Sequence, residues 1–295
     1  TVVIVPPRPV PSCLRVPVNS TLAVTGTHMR SEDDLSKLVN QSGFPLQLAI
    51  DRLVQDKADQ IGWSVLYREH GWKHPDGQGG FIDLGLMNRH RTAIAVLECK
   101  RVLESDWLFL EPAPPQNPTL DTRLWITSTG KRAREHFGYF DALAKPDSPE
   151  STYCVVAGQD PKSRPLLERL AAELTAATEA LAAEERSLLT QQSVGVRFYV
   201  SILVTTARLH HSTLDASAVT LETGEAPSIQ HTEVPWIRFR KQLSSEFAVE
   251  PDLSGWGFDR LAAAKEKQIF VVSAVHLTNF LKRWQLIDHS LTALM

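Results

Sequence analysis

Cysteine is scarce: Cys13, Cys99 and Cys154 are the only three among 295 residues, and none sits in a C-x-x-C pair. That argues against a disulfide scaffold and a structural zinc site, and an odd, unpaired count suits a reducing, cytoplasmic setting. An excess of one charge is also missing. Lys and Arg number 31 against 34 Asp and Glu, a formal net charge of −3. A histone-like polycation is thereby excluded, and any contact with nucleic acid has to come from local patches. No uninterrupted apolar run approaches the ~18–20 residues of a membrane helix, so no membrane partner is expected. There is no repeat of fixed period, no G-x-S-x-G nucleophile elbow, and no helicase or methyltransferase motif.

What is present is an ordinary globular balance, 43% hydrophobic and 22% charged, enough for a substantial core. Residues 1–28 are punctuated by Pro6, Pro7, Pro9, Pro11 and Pro17. They read as a disordered tail, or as sequence ahead of a natural start at Met29, with an edge strand over Val2 to Val5 as the alternative. Residues 29–295 then form a single domain.

The first helix opens at Ser42-Gly43-Phe44-Pro45, with Ser42 as cap and Pro45 in the first turn. Leu46, Ile50, Leu53 and Ile61 share one face, and Gly62 ends the helix. Residues 63–70 read as a strand, and the glycines and proline of GWKHPDGQGG as a loop. Strands follow at 81–87 and 92–100, joined by the polar link NRHR; the second holds the wholly apolar run Ala93 to Leu97, the mark of burial on both faces. Further on, 131–144 reads as a helix, 152–157 as a short buried strand, 165–190 as a long Ala/Leu/Glu-rich helix, and 196–209 as a strand. Strands at 216–222, 229–239 and 268–275 and a last helix near 277–290 complete a mixed α/β domain on a central sheet. The long helix either flanks the sheet or protrudes, where it offers a dimer contact.

The chemistry concentrates in FIDLGLMNRHRTAIAVLECKR. It puts Asp83 on one strand, and Glu98 and Lys100 on the next. With the turn at Arg89-His90, Asp83 lies opposite Val96 and diagonal to Glu98, on one face, while Ile82, Leu84 and Leu97 point the other way into core. A one-residue slip would separate the two carboxylates. Paired carboxylates offer hard oxygens suited to Mg2+ or Mn2+. Such an ion polarises a phosphodiester, and a lysine beside it orients water or offsets charge on the phosphate. The backbone carbonyl of Cys99 is a further candidate ligand.

These residues resemble the PD-(D/E)xK, or restriction-endonuclease-like, nucleases. The motif stands here as Ile82-Asp83 and Glu98-Cys99-Lys100, on successive strands after a helix and a strand. The likeness extends to a bacterial branch in which an S-G-F-P helix precedes the site and a tryptophan segment, here Trp107-Leu108-Phe109, follows it. It covers residues 42–109 well and weakens beyond. The resemblance implies a mixed central sheet flanked by helices and metal-dependent cleavage of nucleic acid, usually DNA, in restriction, defence or repair. It also implies that Asp83 and Glu98 are metal ligands and Lys100 the catalytic lysine. Two-strand cleavage often calls for a homodimer or a partner chain. Many members carry a metal-facing glutamate on the first helix; the matching position here is Gln47, with Asp51 one turn on as a substitute. That departure motivates an alternative, a nucleic-acid-binding protein on the same fold with catalysis weak or lost. Cleavage restored by Gln47→Glu would mark a recently disabled enzyme. A third reading is an interaction protein in which the charged hairpin is incidental.

The remaining candidates are weaker. Gly77-Gln78-Gly79-Gly80 leads into a strand and not a helix N-terminus, so it reads as a turn near the substrate groove. Lys131, Arg132 and Arg134, and Arg238, Arg240 and Lys241, form basic clusters that suit phosphate contacts or simple solvation, as do Arg89 and Arg91. Adjacent His210 and His211 face opposite sides of a strand and are poor joint ligands. The tryptophans read as packing residues, with Trp107 or Trp125 the alternatives for stacking on a base.

Overall fold

A computed structural model describes residues 31–73, 77–130, 135–159, 165–191, 195–245, 247, 249 and 254–287. The expected N-terminal tail and the basic cluster Lys131, Arg132 and Arg134 lie outside them. By its contacts the chain forms two units, Thr1–Leu38 and Val39–Met295. In the first, residues 32–38 begin helix α1 (Glu32–Gln41), which the sequence reading missed. Everything below concerns the second unit.

Its helices are α2 (Phe44–Ile61), α3 (Leu166–Gln191), α4 (Phe258–Ala264) and α5 (Leu277–Arg283). Its strands are β1 (Trp63–Lys73), β2 (Gly79–Asn88), β3 (Ala93–Lys100), β4 (Asp106–Pro112), β5 (Thr119–Ser128), β6 (His136–Ser148), β7 (Glu150–Ser151), β8 (Tyr153–Val156), β9 (Val196–Thr205), β10 (Arg208–Leu214), β11 (Ile229–Glu233), β12 (Trp236–Gln242), β13 (Glu266–Ser273) and β14 (Gln285–Leu286). This is a mixed α/β architecture with a large mixed sheet flanked by helices. No helix among the described residues is long and apolar enough to cross a membrane.

The main sheet runs β1-β2-β3-β9-β13-β12-β7. Strands β1, β2 and β3 are antiparallel neighbours, while β3, β9 and β13 run parallel. Strand β9 branches: Val196 to Tyr199 pair with β5, and Ile202 to Thr205 with β13. A smaller sheet runs β11-β10-β4-β8. The apolar run of β3 has the expected cause. Ala93, Ala95 and Leu97 join Ile50 and Val54 of α2 and Phe280 of α5 in one core layer, while Ile94 and Val96 join Leu170, Leu174 and Leu181 of α3 in the other.

Helix α2 starts on Gly43, whose φ of 83° suits glycine, and Ser42 makes no cap; its hydroxyl donates to the Val39 carbonyl. Gly62, at φ 72°, closes the helix as expected. Helix α3 flanks the sheet. It presents two buried glutamates to it: Glu185 accepts from Tyr67 (2.6 Å), Tyr199 (2.7 Å) and Arg197 (2.8 Å), and Glu179 accepts from Tyr139 (2.7 Å) and pairs with Lys267 (2.7 Å). Buried charges persist only when so partnered.

Several expected elements differ. The helix expected over 131–144 is a strand from His136 onward, because pairing with β5 imposes a period of two on its burial. The strand expected at 216–222 is a 3-10 turn capped by Asp215 followed by further turns. Strand β8 is half-exposed and not buried. Strands β4 and β5 flank the Pro-rich connection, where no strand was expected.

Candidate functional site

The site forms where β2 and β3 lose their ladder. Their register pairs Leu84 with Leu97, Gly85 with Val96, and Met87 with Ile94. One step further sets Asp83 directly across from Glu98, not from Val96. The expected register was therefore two residues out. The cause is the turn: Asn88 Oδ1 accepts from the amides of Thr92 (2.9 Å) and Ala93 (3.0 Å), and Arg91 adopts φ 58°, so the link is wider than a two-residue turn. A shift of two keeps the facing, and both carboxylates stay on one side.

Asp83 and Glu98 line one cleft of about 450 Å3, walled by Trp72, Gly79, Gly80 and Phe81 on the β1–β2 side and by Glu173, Leu174 and Ala177 of α3. Ile82 is buried as expected but in the α3 layer, whereas Leu84 is in the α2 layer. The alternation of β2 thus breaks at Asp83.

The half-buried Asp83 is held by β3 itself: the Cys99 amide donates to its Oδ2 at 2.6 Å. Burial raises the Asp83 pKa, the Cys99 amide pulls it back, Glu69 raises it again, and Lys100 lowers it. Burial and repulsion from Asp83 push Glu98 up to about 7, against the pull of Lys100. Cys99 meets Asp83 through both its N–H and its side chain, which also packs against the α2 layer, and burial pushes its thiol up. Lys100 ends β3, two residues beyond Glu98, and its ammonium acts on both carboxyls.

Gln47 projects from α2 to the same place. Its Nε2 donates to the Glu69 carboxylate and, at 3.2 Å, to the backbone carbonyl of Asp83. Glu69 was missed by the sequence reading. It lies on β1 between the pairs Arg68 with Leu84 and His70 with Ile82, hence beside Asp83, and its φ is 46°. A hairpin folded through the GQGG loop would have put it there. Asp51 does not reach the site: Arg68 holds both its oxygens at 2.8 and 2.9 Å, and Gln55 donates to it at 2.8 Å.

Other candidates resolve differently. Arg238 is fully buried, donating to Thr122 Oγ1 and the Ser148 carbonyl, while Arg240 pairs with Glu266 and Asp141 and Lys241 with Glu168. That basic cluster is internal wiring. Trp107 and Trp125 are 0% and 1% exposed, so neither presents a face for stacking. His210 and His211 bond separately, to Asp106 and Glu111.

Among the described residues no group of three or more His, Cys, Asp or Glu side chains converges to hold a metal ion. Asp83 and Glu98 face one cleft, which Glu173 of α3 also lines, and they repel each other, a donor pair that a hard divalent ion would relieve. Mg2+ commonly takes one or two carboxylates, with waters and substrate phosphates filling the rest. The pair fits that mode and no richer one. No family model matches this chain, and neither does any curated protein or solved structure.

Proposed function

We propose that this protein is a metal-dependent nuclease of restriction-endonuclease-like arrangement that hydrolyses phosphodiester bonds in DNA. The observation that carries the reading is that Asp83 and Glu98, from adjacent strands, line one cleft, with Lys100 two residues beyond Glu98 on β3. In it, Asp83 and Glu98 would hold Mg2+ or Mn2+, which supplies Lewis-acid polarisation of the phosphate. The Cys99 amide fixes the orientation of Asp83. Lys100 orients water and offsets the charge that develops on the phosphate. Gln47 tethers the Asp83 backbone to α2.

Incubation with plasmid and oligonucleotide DNA, with and without Mg2+ or Mn2+, tests this. Wild type should cut only with metal, and Lys100→Ala should lose at least ~100-fold in rate. Equal activity of the two refutes the assignment. A second reading, binding without cleavage, is favoured because no third ligand converges with the pair among the described residues. DNA retention with no cleavage under any divalent ion would select it.

A further inference from the structure

The cleft of Asp83 and Glu98 shares a wall with a larger cavity. Trp72, Gly79, Gly80 and Phe81 line both, and the larger space, about 900 Å3, is completed by Trp125, Phe137, Ala180 and Ala183 among others. The larger space is walled mainly by aromatic rings and alanine methyls, with Lys73, Glu179 and Glu184 the charged groups on its lining. The ladder sets Phe81 opposite Gly71 and Trp72 opposite Gly80. A Cβ on Gly71 would lie 3.6 Å from the Phe81 ring, and one on Gly80 would lie 3.4 Å from Trp72 Nε1. The glycines therefore leave these rings uncrowded, and Phe81 remains 66% exposed. The acids on the α3 wall are already partnered: Glu184 meets His70 at 3.0 Å, and Glu179 meets Lys267 and Tyr139.

Resting on the nuclease reading, we infer that this cavity receives an unstacked base, and that the substrate is therefore single-stranded or locally opened DNA. A phosphodiester at Asp83 and Glu98 brings a sugar and base with it to one side. A duplex turns its bases inward and has nothing to offer an aromatic cavity beside the cleft. An unstacked base is flat, largely apolar and uncharged, and stacks on aromatic side chains whatever its identity.

The test uses the full chain in EDTA, with a fluorescent 20-mer carrying 2-aminopurine, single-stranded or annealed to its complement. The single strand should bind at least ~10-fold tighter than the duplex, with 2-aminopurine quenched on binding. Phe81→Ala, at an exposed side chain, should remove most of that preference, and Ala180→Leu, which narrows the cavity, should do the same. Equal or tighter duplex binding, or an unchanged preference in both variants, overturns the inference. Cleavage in Mg2+ separates the two ideas. Lys100-dependent cutting of duplex without strand preference sinks the cavity role and leaves the nuclease standing. Selective single-strand binding without any cutting sinks the nuclease and leaves the cavity role.

Discussion

Gln47 and Glu69 should behave as one unit, and a charge swap between them exposes it. In the native arrangement a neutral amide donates to Glu69 and to the Asp83 carbonyl. Gln47→Glu replaces the donor with a second carboxylate against Glu69. Two like charges 4 Å apart repel by about 1 kcal/mol in water and about 4 kcal/mol at an effective dielectric near 20. Glu69 is exposed, so the lower end applies, roughly 1–2 kcal/mol, with about 1 kcal/mol more for the bonds lost. Glu69→Gln keeps an acceptor for Gln47 and relieves repulsion on Asp83, so it should be near neutral. The double variant exchanges donor and acceptor and should recover about 1–2 kcal/mol relative to Gln47→Glu alone. Urea unfolding of the four proteins at pH 8 measures the coupling directly. Single effects that add within about 0.5 kcal/mol would refute the pairing. By the same reasoning Gln47→Glu should not raise cleavage.

Three other outcomes follow from particular contacts. Glu98 binds its proton more tightly folded than unfolded between 4.5 and about 7, so its contribution to stability falls as pH rises through that window. Glu98→Gln should thus be more stable than wild type above pH 7, by at most roughly 3 kcal/mol, and equal near pH 4, as read by thermal melting across pH. Arg197→Met strands Glu185 in the core without its cation and should cost about 3–5 kcal/mol in denaturant unfolding. Gly85→Ala puts a Cβ 2.8 Å from the Tyr67 ring, which must shift and strain its bond to Glu185; about 1–3 kcal/mol of stability should be lost in the same assay.

Much of the frame was legible because it is dictated locally. The stripe of α2, its glycine stop, the unbroken apolar run of β3 and the Ala/Leu-rich α3 appear as read, since burial on one or two faces writes itself into spacing. Residues 136–144 were misread as helix because the Ala, Glu and Lys content of that stretch of sequence favours helix while the partner strand β5 decides the outcome. Arg238 looked like a phosphate contact because sequence cannot show that Thr122 and Ser148 close over it; burial even lowers its pKa to about 10.

The site itself was legible for a reason of parity rather than of precision. The assumed turn was one residue off and the register therefore two, yet side chains on a strand repeat every two, so Asp83 and Glu98 still face one cleft. A wrong facing would have required an odd shift, which would turn Leu84 and Leu86 out of the core. The hydrophobic pattern of β2 fixes the register as far as Leu84, and the Cys99 amide holds Asp83 where the alternation breaks. No such pattern constrains Glu69. It joins the site through a left-handed backbone step on β1 and through the Gln47 amide, and neither leaves a periodic trace. Gln47 looked like a defect only while Glu69 was out of view. Beside a carboxylate already supplied by the neighbouring strand, a neutral donor is the side chain that electrostatics favours.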